Sequence, residues 1–330
     1  MSGNSSNGVR SVVTLQSHIL ESESRQDNAT GTLSWILSAL SISAKMISAS
    51  VRRARIEDVL GDVGSDNVQG EQQQKLDVIA NDILLNILGD RDGVAIVASE
   101  ENEEPVVIRE EDDEQKYCIL FDPLDGSSNL DVCGGVGTIF SILRNKKDAS
   151  PKDSLLQPGY EQVAAGYILY GSSTIFTLTV GDGVDMFVLD PSIGAFVRVA
   201  EQLQIPKANK SYSLNEGNRK SFPQGYQDYL DWAQSNGYSS RYAGAMVADV
   251  HRILLKGGVF MYPPTEKAPA GKLRLMYEAN PMSMLVEQAG GKAMCDSVNK
   301  IQSVKPDDIH QRVPVIMGSP DEVDNVLKHL

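Results

Sequence analysis

Cysteine is scarce in this chain. Cys118, Cys133 and Cys295 are the three in 330 residues, an odd number without CxxC spacing. That excludes a disulfide framework and a structural zinc site, and the three read as small, reduced core residues. Histidine is equally sparse: His18, His251, His310 and His329 stand apart from one another, and each reads as a surface or capping residue. No stretch reaches the roughly 18 uninterrupted apolar residues of a membrane span. The first residues, MSGNSSNGVRSVVTLQSHILESESR, lack a secretory apolar region and carry Glu21 and Glu23, so a soluble, cytoplasmic protein is expected. Positive charge is in deficit as well, with 30 Lys and Arg against 44 Asp and Glu. The resulting net charge of −14 opposes adsorption onto nucleic acid or anionic lipid. Neither an internal repeat nor a long low-complexity tract is present.

What is present is an ordinary globular composition, 41% hydrophobic, in a chain long enough for two domains. Residues 33 to 54 carry Leu33, Ile36, Leu37, Leu40, Met46 and Ile47 at mostly helical spacing, which predicts a long amphipathic helix after Thr30-Gly31-Thr32. Gly61 to Gly70 reads as a polar loop. A second helix follows with Leu76, Ile79, Ala80, Ile83, Leu84 and Ile87 inward, ending near Gly89. The short apolar runs VAIVAS (94 to 99) and KYCILF (116 to 121) predict strands, one ending in Glu100 and Glu101, the other in Asp122. GTIFSILR, AAGYILYGSSTIFTLTV and VDMFVLDPSIGAFVRV add alternation and turn signals, predicting a mostly antiparallel sheet. Gln202 to Pro206 marks a domain junction. Helices and strands alternate beyond it, closing with a helix near Asp321 to Lys328.

The stretch FDPLDGSSNLD (121 to 131) crowds Asp122, Asp125 and Asp131 behind a buried run. Two carboxylates about 4 Å apart repel by about 4 kcal/mol at an effective dielectric near 20 unless a proton or cation neutralises them. Asp122-Pro123-Leu124-Asp125 suggests a tight turn that aims two carboxylates at one point, and Gly126-Ser127-Ser128-Asn129 offers unhindered N–H groups and hydroxyls for a phosphate. A metal between the two is one reading, with hard oxygen donors favouring Mg²⁺ or Mn²⁺. The other is a surface turn capped by Asp122. In the C-terminal half, Lys267, Lys272 and Arg274 precede Glu278 and a helix started by Asn280-Pro281, either a basic loop before an amphipathic helix or a phosphate grip with a further metal ligand. Arg241 and Tyr242 suit phosphate contacts. GGVGTIF (134 to 140) precedes a strand and lacks dinucleotide-loop spacing.

FDPLDGSSNLDV, GTIFSILR, AAGYILYGSS, SLNEGN, RYAGAMVADVHR, GKLRLMYEANPM and DIHQRVPVIMGSP, in this order, resemble class I fructose-1,6-bisphosphatases, within the metal-dependent, lithium-sensitive sugar phosphatases. The resemblance implies an α/β (α+β) subunit with layers α-β-α-β-α and two sheets sandwiched between helices. It implies an N-terminal domain over 12–201, a C-terminal sugar-phosphate-binding domain over 202–330, and a homotetramer. The implied activity is Mg²⁺-dependent hydrolysis of fructose 1,6-bisphosphate in gluconeogenesis or the Calvin cycle, with Mn²⁺ as a substitute and more than one ion per subunit. Implied metal ligands are Glu71, Glu100, Asp122, the Leu124 carbonyl, Asp125 and Glu278. Asp77 and Glu101 match the pair that activates water. Asp125, Gly126, Ser127, Ser128, Asn215, Arg241, Tyr242, Tyr262, Lys272 and Arg274 match substrate contacts, Arg241 reaching into a neighbouring subunit's site. Thr30, Gly31, Lys116, Tyr117 and Arg144 match an AMP site, although Thr32-Leu33-Ser34 replaces Glu-Met-Thr there. Asn218 stands where the family has a tyrosine. Sedoheptulose 1,7-bisphosphate is the alternative substrate, and a catalytically silent sugar-phosphate-binding regulator is the alternative from another class.

Overall fold

A computed structural model describes residues 12–24, 31–66, 72–109 and 115–330. Its helices are α1 (Leu15–Ser24), α2 (Thr32–Arg53), α3 (Lys75–Gly89), α4 (Pro151–Leu155), α5 (Gln224–Ser235), α6 (Met246–Lys256), α7 (Asn280–Gln288) and α8 (Pro320–Leu327). A hairpin-like pair, β1 (Asp62–Asp66) with β2 (Gln72–Gln74), occupies part of the expected 61–70 loop. The loop expectation fails there because backbone pairing asks only for N–H and C=O groups, which polar residues supply as well as apolar ones.

The large sheet comprises β3 (Val94–Ser99), β4 (Val106–Val107), β5 (Tyr117–Asp125), β6 (Val136–Arg144), β7 (Gln162–Tyr170), β8 (Thr174–Thr179), β9 (Asp185–Asp190) and β10 (Ala195–Ala200). Their order is β10-β9-β8-β7-β6-β5-β3-β4, antiparallel except for β3 beside β5. A second sheet runs β12 (Ser239–Ser240), β11 (Ser211–Ser213), β13 (Val259–Tyr262), β17 (Val315–Gly318) and β15 (Lys292–Met294). Beside it, β14 (Leu273–Arg274) pairs with β16 (Arg312–Val313).

Period-2 alternation lets each strand of the large sheet feed two cores. On β5, Tyr117, Ile119 and Phe121 join Ile36, Leu40 and Leu84 under α2 and α3. Cys118 and Leu120 face the opposite way, toward Met246, Val250, Leu275 and Leu285 of the α6 and α7 layer. That layer also touches Phe260 and Met317 of the second sheet, whose outer face is covered by Tyr229 and Leu230 of α5 and Val326 of α8. The architecture is therefore helices, sheet, helices, sheet, helices.

Helix α2 has the length and the mean hydropathy, 1.3 over its most apolar window, of a membrane span, and 44% of that window is buried, one face packing on the fold. Met46, expected inward, is exposed, while Ala39, Ser43 and Ala44 are buried. Small residues allow the close packing of α2 on α3. On α3 the buried row is Leu76, Ala80, Leu84 and Leu88, with Ile79, Ile83 and Ile87 only half-buried at its margin.

Three other expectations are corrected. Cys133 is exposed, at a left-handed φ of 56°, because the short helix before it ends there. His251 is no capping residue: its Nδ1 meets the Tyr167 hydroxyl at 2.7 Å, and burial pushes its pKa down to about 4. His18 lies 3.2 Å from the Asp185 carboxylate.

Candidate active site

The parallel pair β3 and β5 ends in register, Ser99 opposite Phe121, and the Glu100 N–H continues the ladder to the Phe121 carbonyl at 3.0 Å. Glu100 and Asp122 are thereby adjacent. The Asp122 to Asp125 segment is a bulge within β5, not the tight turn expected: Asp122 pairs with Ile139 and Asp125 with Gly137, so Pro123 and Leu124 oppose Thr138 alone. Proline has no N–H for the ladder, and a bulge is where a strand tolerates it. The groups the bulge frees are satisfied locally. Thr138 Oγ1 donates to the Pro123 carbonyl at 2.8 Å, and the Leu124 N–H donates to Asp122 Oδ1 at 2.9 Å. The extra residue keeps both aspartates on one side.

Glu278 comes from a wide π-helical turn, Leu275–Ala279, that precedes α7. Such turns re-aim side chains and recur at functional sites. Asp122, Asp125 and Glu278 each bring a carboxylate oxygen within 4.8 Å of the others. They are 7%, 9% and 3% exposed. Burial, joined by the charges of Glu100, Asp125 and Glu278, raises the Asp122 pKa well above the ordinary range. Asp125 is raised by burial and by Glu278, while the N–H groups of Val247 and Met246 oppose the shift. The Val247 bond to Asp125 Oδ2 is 2.7 Å. Arg274 supplies opposing positive charge: its guanidinium pairs with Glu100 and lies 3.9 Å from Glu278. Its own N–H holds Glu278 Oε2 at 2.6 Å. Three buried oxygen donors, with no nitrogen or sulfur among them, are the donor set of a hard divalent cation.

A cavity of about 560 Å³ opens from this cluster. Gly126, at a left-handed φ of 76°, turns the chain into a 3₁₀ helix, Ser127–Val132, so the backbone of Gly126, Ser127 and Ser128 lines the wall beside the carboxylates. Asp77 and Glu101 line the same cavity. Burial raises the Asp77 pKa to about 7, with Glu101 adding to the rise and the Gln74 N–H, at 2.8 Å, and the Ser127 hydroxyl opposing it. Asn215, Tyr242, Tyr262 and Lys272 complete the lining.

Most of the residues expected at the site therefore converge. Arg241 does not line the cavity; its Nη1 donates to the Ser240 carbonyl at 3.0 Å. Asn218 is exposed and off the cavity wall. Glu71 and Thr30 lie outside the described residues. Asp131 contributes its carbonyl to Arg55 and stands clear of the cavity. Sequence reading missed Asp249, buried in the cavity wall, and the N–H of Val247, although both lie in RYAGAMVADVHR, because nothing local shows that they face Asp125 or the cavity. Far from this cavity, Tyr117 and Arg144 are cross-strand partners on β5 and β6, with the guanidinium 5.2 Å from the ring centroid. Lys116 precedes them, and Gly31 caps α2, whose Thr32 packs on Gly93, the acceptor of the Tyr117 N–H.

Comparison with known proteins gives a consistent picture. The family model "Fructose-1-6-bisphosphatase, N-terminal domain" matches residues 13–201, and "Fructose-1-6-bisphosphatase, C-terminal domain" matches 205–330. The fructose-1,6-bisphosphatase class 1 of Persephonella marina is 49% identical over 317 residues, 96% of this chain and 98% of that protein. That of Chlorobium luteolum is 47% identical over 321 residues, 94% and 96% of the two chains. A crystal structure of Leishmania major fructose-1,6-bisphosphatase in holo form superposes with a TM-score of 0.90 at 39% identity, covering 96% of this chain and 98% of that one. The T-state crystal structure of the same enzyme superposes with a TM-score of 0.86 at 38% identity, covering 96% and 98%.

Proposed function

The chain belongs to the class I fructose-1,6-bisphosphatase family, and on that premise we infer how its cavity hydrolyses fructose 1,6-bisphosphate to fructose 6-phosphate and phosphate. One observation supports the mechanism most: three buried carboxylates within 4.8 Å of one another adjoin the Gly126 turn, while Lys272 and Tyr242 line the same cavity.

Asp122, Asp125 and Glu278 would hold a divalent cation, Mg²⁺ with Mn²⁺ as substitute. Glu100, the Leu124 carbonyl and Glu71 are the expected donors to further ions. When bound, Mg²⁺ supplies charge neutralisation for phosphoryl oxygens and lowers the pKa of a water. The N–H groups of Gly126, Ser127 and Ser128 receive the reacting phosphate, and Arg274 adds positive charge beside it. No covalent nucleophile is required, because phosphoryl transfer demands mainly positioning and charge stabilisation. Asn215, Tyr242, Tyr262 and Lys272 grip the distal phosphate, with Arg241 reaching into a neighbouring subunit's site. Asp77, paired with Glu101, accepts the proton of the attacking water. A group with a pKa near 7 suits that task at neutral pH. The substrate assay is phosphate release with and without Mg²⁺: release that persists unchanged after chelation of all divalent cations would refute this mechanism.

The base must be ionised to act, so kcat/KM is expected to rise with pH through an acid limb. Its apparent pKa lies at or below about 7, because a nearby cation favours the carboxylate. Asp77→Asn should lower kcat by about 10²- to 10⁴-fold and remove that limb. A pH–rate profile that keeps both rate and limb in the variant rules out the role.

At the remote end, Gly31, Lys116, Tyr117 and Arg144, with Thr30, are assigned to AMP. A cation over an aromatic ring beside a helix N-terminus suits a nucleotide phosphate. The assembly is expected to be a cytoplasmic homotetramer. Titrating AMP into the same assay tests the first assignment, an activity that AMP leaves unchanged opposing it, and a sedimenting monomer opposes the second.

A further inference from the structure

The reacting-end cradle and the distal grip belong to segments far apart in sequence, and one side chain joins them. Asn129 lies in the 3₁₀ helix just behind Gly126-Ser127-Ser128, its own N–H bonded to the Gly126 carbonyl at 2.8 Å. Its Nδ2 donates to the Ala243 carbonyl at 3.1 Å and to the Gly135 carbonyl at 3.4 Å. Because both partners are carbonyl oxygens, the NH₂ face of the amide must point toward them.

The other side of the same segment is also held. The buried carboxylate of Asp249 accepts from the Ala243 N–H at 2.9 and 3.2 Å and from the Gly244 N–H at 3.2 Å. Ala243 directly follows Tyr242, which faces the cavity with Asn215. The segment that carries Tyr242 is thus pinned to α6 through its donors and to the cradle through its acceptor. Gly134 backs the link, since a Cβ there would stand 2.8 Å from Asn129 Cβ.

We propose that Asn129 is a positioning residue that sets the span between the two phosphate grips, and so lets the distal phosphate select bisphosphates over monophosphates. This rests on the bisphosphatase reading above. A single neutral hydrogen bond contributes about a factor of five, and Asn129 spends its bond on geometry, not on substrate.

The test is steady-state hydrolysis of fructose 1,6-bisphosphate and of fructose 1-phosphate, both with Mg²⁺, by the full chain and its variants. In Asn129→Ala the ratio of kcat/KM for the bisphosphate to that for the monophosphate should fall about fivefold. The fall should be carried by KM for the bisphosphate, with monophosphate turnover within about twofold of the parent. Gly134→Ala, whose added Cβ would stand 2.8 Å from Asn129 Cβ and 3.2 Å from its amide carbon, keeps the amide but displaces it, so it should shift the ratio in the same direction and serves if Asn129→Ala does not fold. Combined with Tyr242→Phe, Asn129→Ala should cost less than the two separate losses added, since both act on one grip. Equal loss on both substrates, or an unchanged ratio in a folded variant, overturns the proposal. Failure of the parent chain to release phosphate from either substrate overturns the bisphosphatase reading, and the proposal with it.

Discussion

Asp122→Asn is expected to lower turnover of fructose 1,6-bisphosphate by on the order of a thousandfold or more, while raising the thermal midpoint measured without divalent cations. The two effects have one origin. Asp122 sits 7% exposed within a cluster whose carboxylates approach within 4.8 Å. At an effective dielectric near 20, each such contact between full charges costs about 3 kcal/mol, and burial of the charge adds to it. Asp122 is accordingly held toward its protonated form. Asparagine keeps an oxygen for the Leu124 N–H, which bonds Asp122 Oδ1 at 2.9 Å, so the bulge survives. It removes the charge that the cation needs and that the apo cluster tolerates badly. Thermal scans and phosphate release, each with and without Mg²⁺, separate the effects. Near-normal turnover sinks the metal assignment, and a lowered midpoint without cation would show that the carboxylate is not under repulsion.

Gly126→Ala is expected to cost about 2–5 kcal/mol of stability and to reduce kcat/KM by more than about a hundredfold. Its φ of 76° is left-handed, and a Cβ there would stand 2.3 Å from Ala245 Cβ and 3.1 Å from Ala245 Cα. Ala245 immediately precedes α6, whose Val247 N–H holds Asp125. Relief of the clash must therefore move either the cradle or the segment that orients the carboxylate. Gly194 is the control: its φ of 63° is also left-handed, but nothing lies within 4 Å of an added Cβ. Alanine there should cost only the backbone strain, about 1–2 kcal/mol, and leave activity intact. Equilibrium unfolding in urea measures both variants. Equal losses at Gly126 and Gly194 would show that close approach to Ala245 plays no part.

The legible part of this protein is where chemistry is dense in a short stretch. Asp122, Asp125 and Gly126 announce themselves because three unlike demands, two charges and a φ permissive turn, fall within five residues. The end of β3 just before Glu100 was readable from its apolar run, whereas the run expected to stop at Asp122 continues through the bulge to Asp125. Helical stripes on α2 and α3 were readable in outline only. Met46 proved exposed and Ser43 buried, because burial depends on which neighbour covers a face, and hydrophobicity records only what a face would tolerate.

Elsewhere the sequence is mute for a definite reason. A bulge differs from a turn by whether Thr138 lies opposite Pro123, and Thr138 belongs to the next strand. Arg274 lines the cavity, but its ion pair with Glu100, just beyond β3 and far away in the chain, could not be read from spacing. Asp249 and Asn129 lie in stretches that the sequence singles out, but nothing local assigns them a task; their hydrogen bonds exist only because folding brings Ala243 between them.

Composition and local patterning alone thus establish an acidic chain without a metal-binding cysteine or histidine set, a mostly antiparallel sheet with helices before and after it, and one short stretch dense in carboxylates and glycine. These are short-range properties, set by side-chain type and by spacing along a few residues. Folding alone decides that three carboxylates meet within 4.8 Å, that Arg274 turns toward them, and that one amide ties the two ends of the cavity together. Each of those facts is a distance between segments remote in sequence, settled by how two sheets and three helical layers pack.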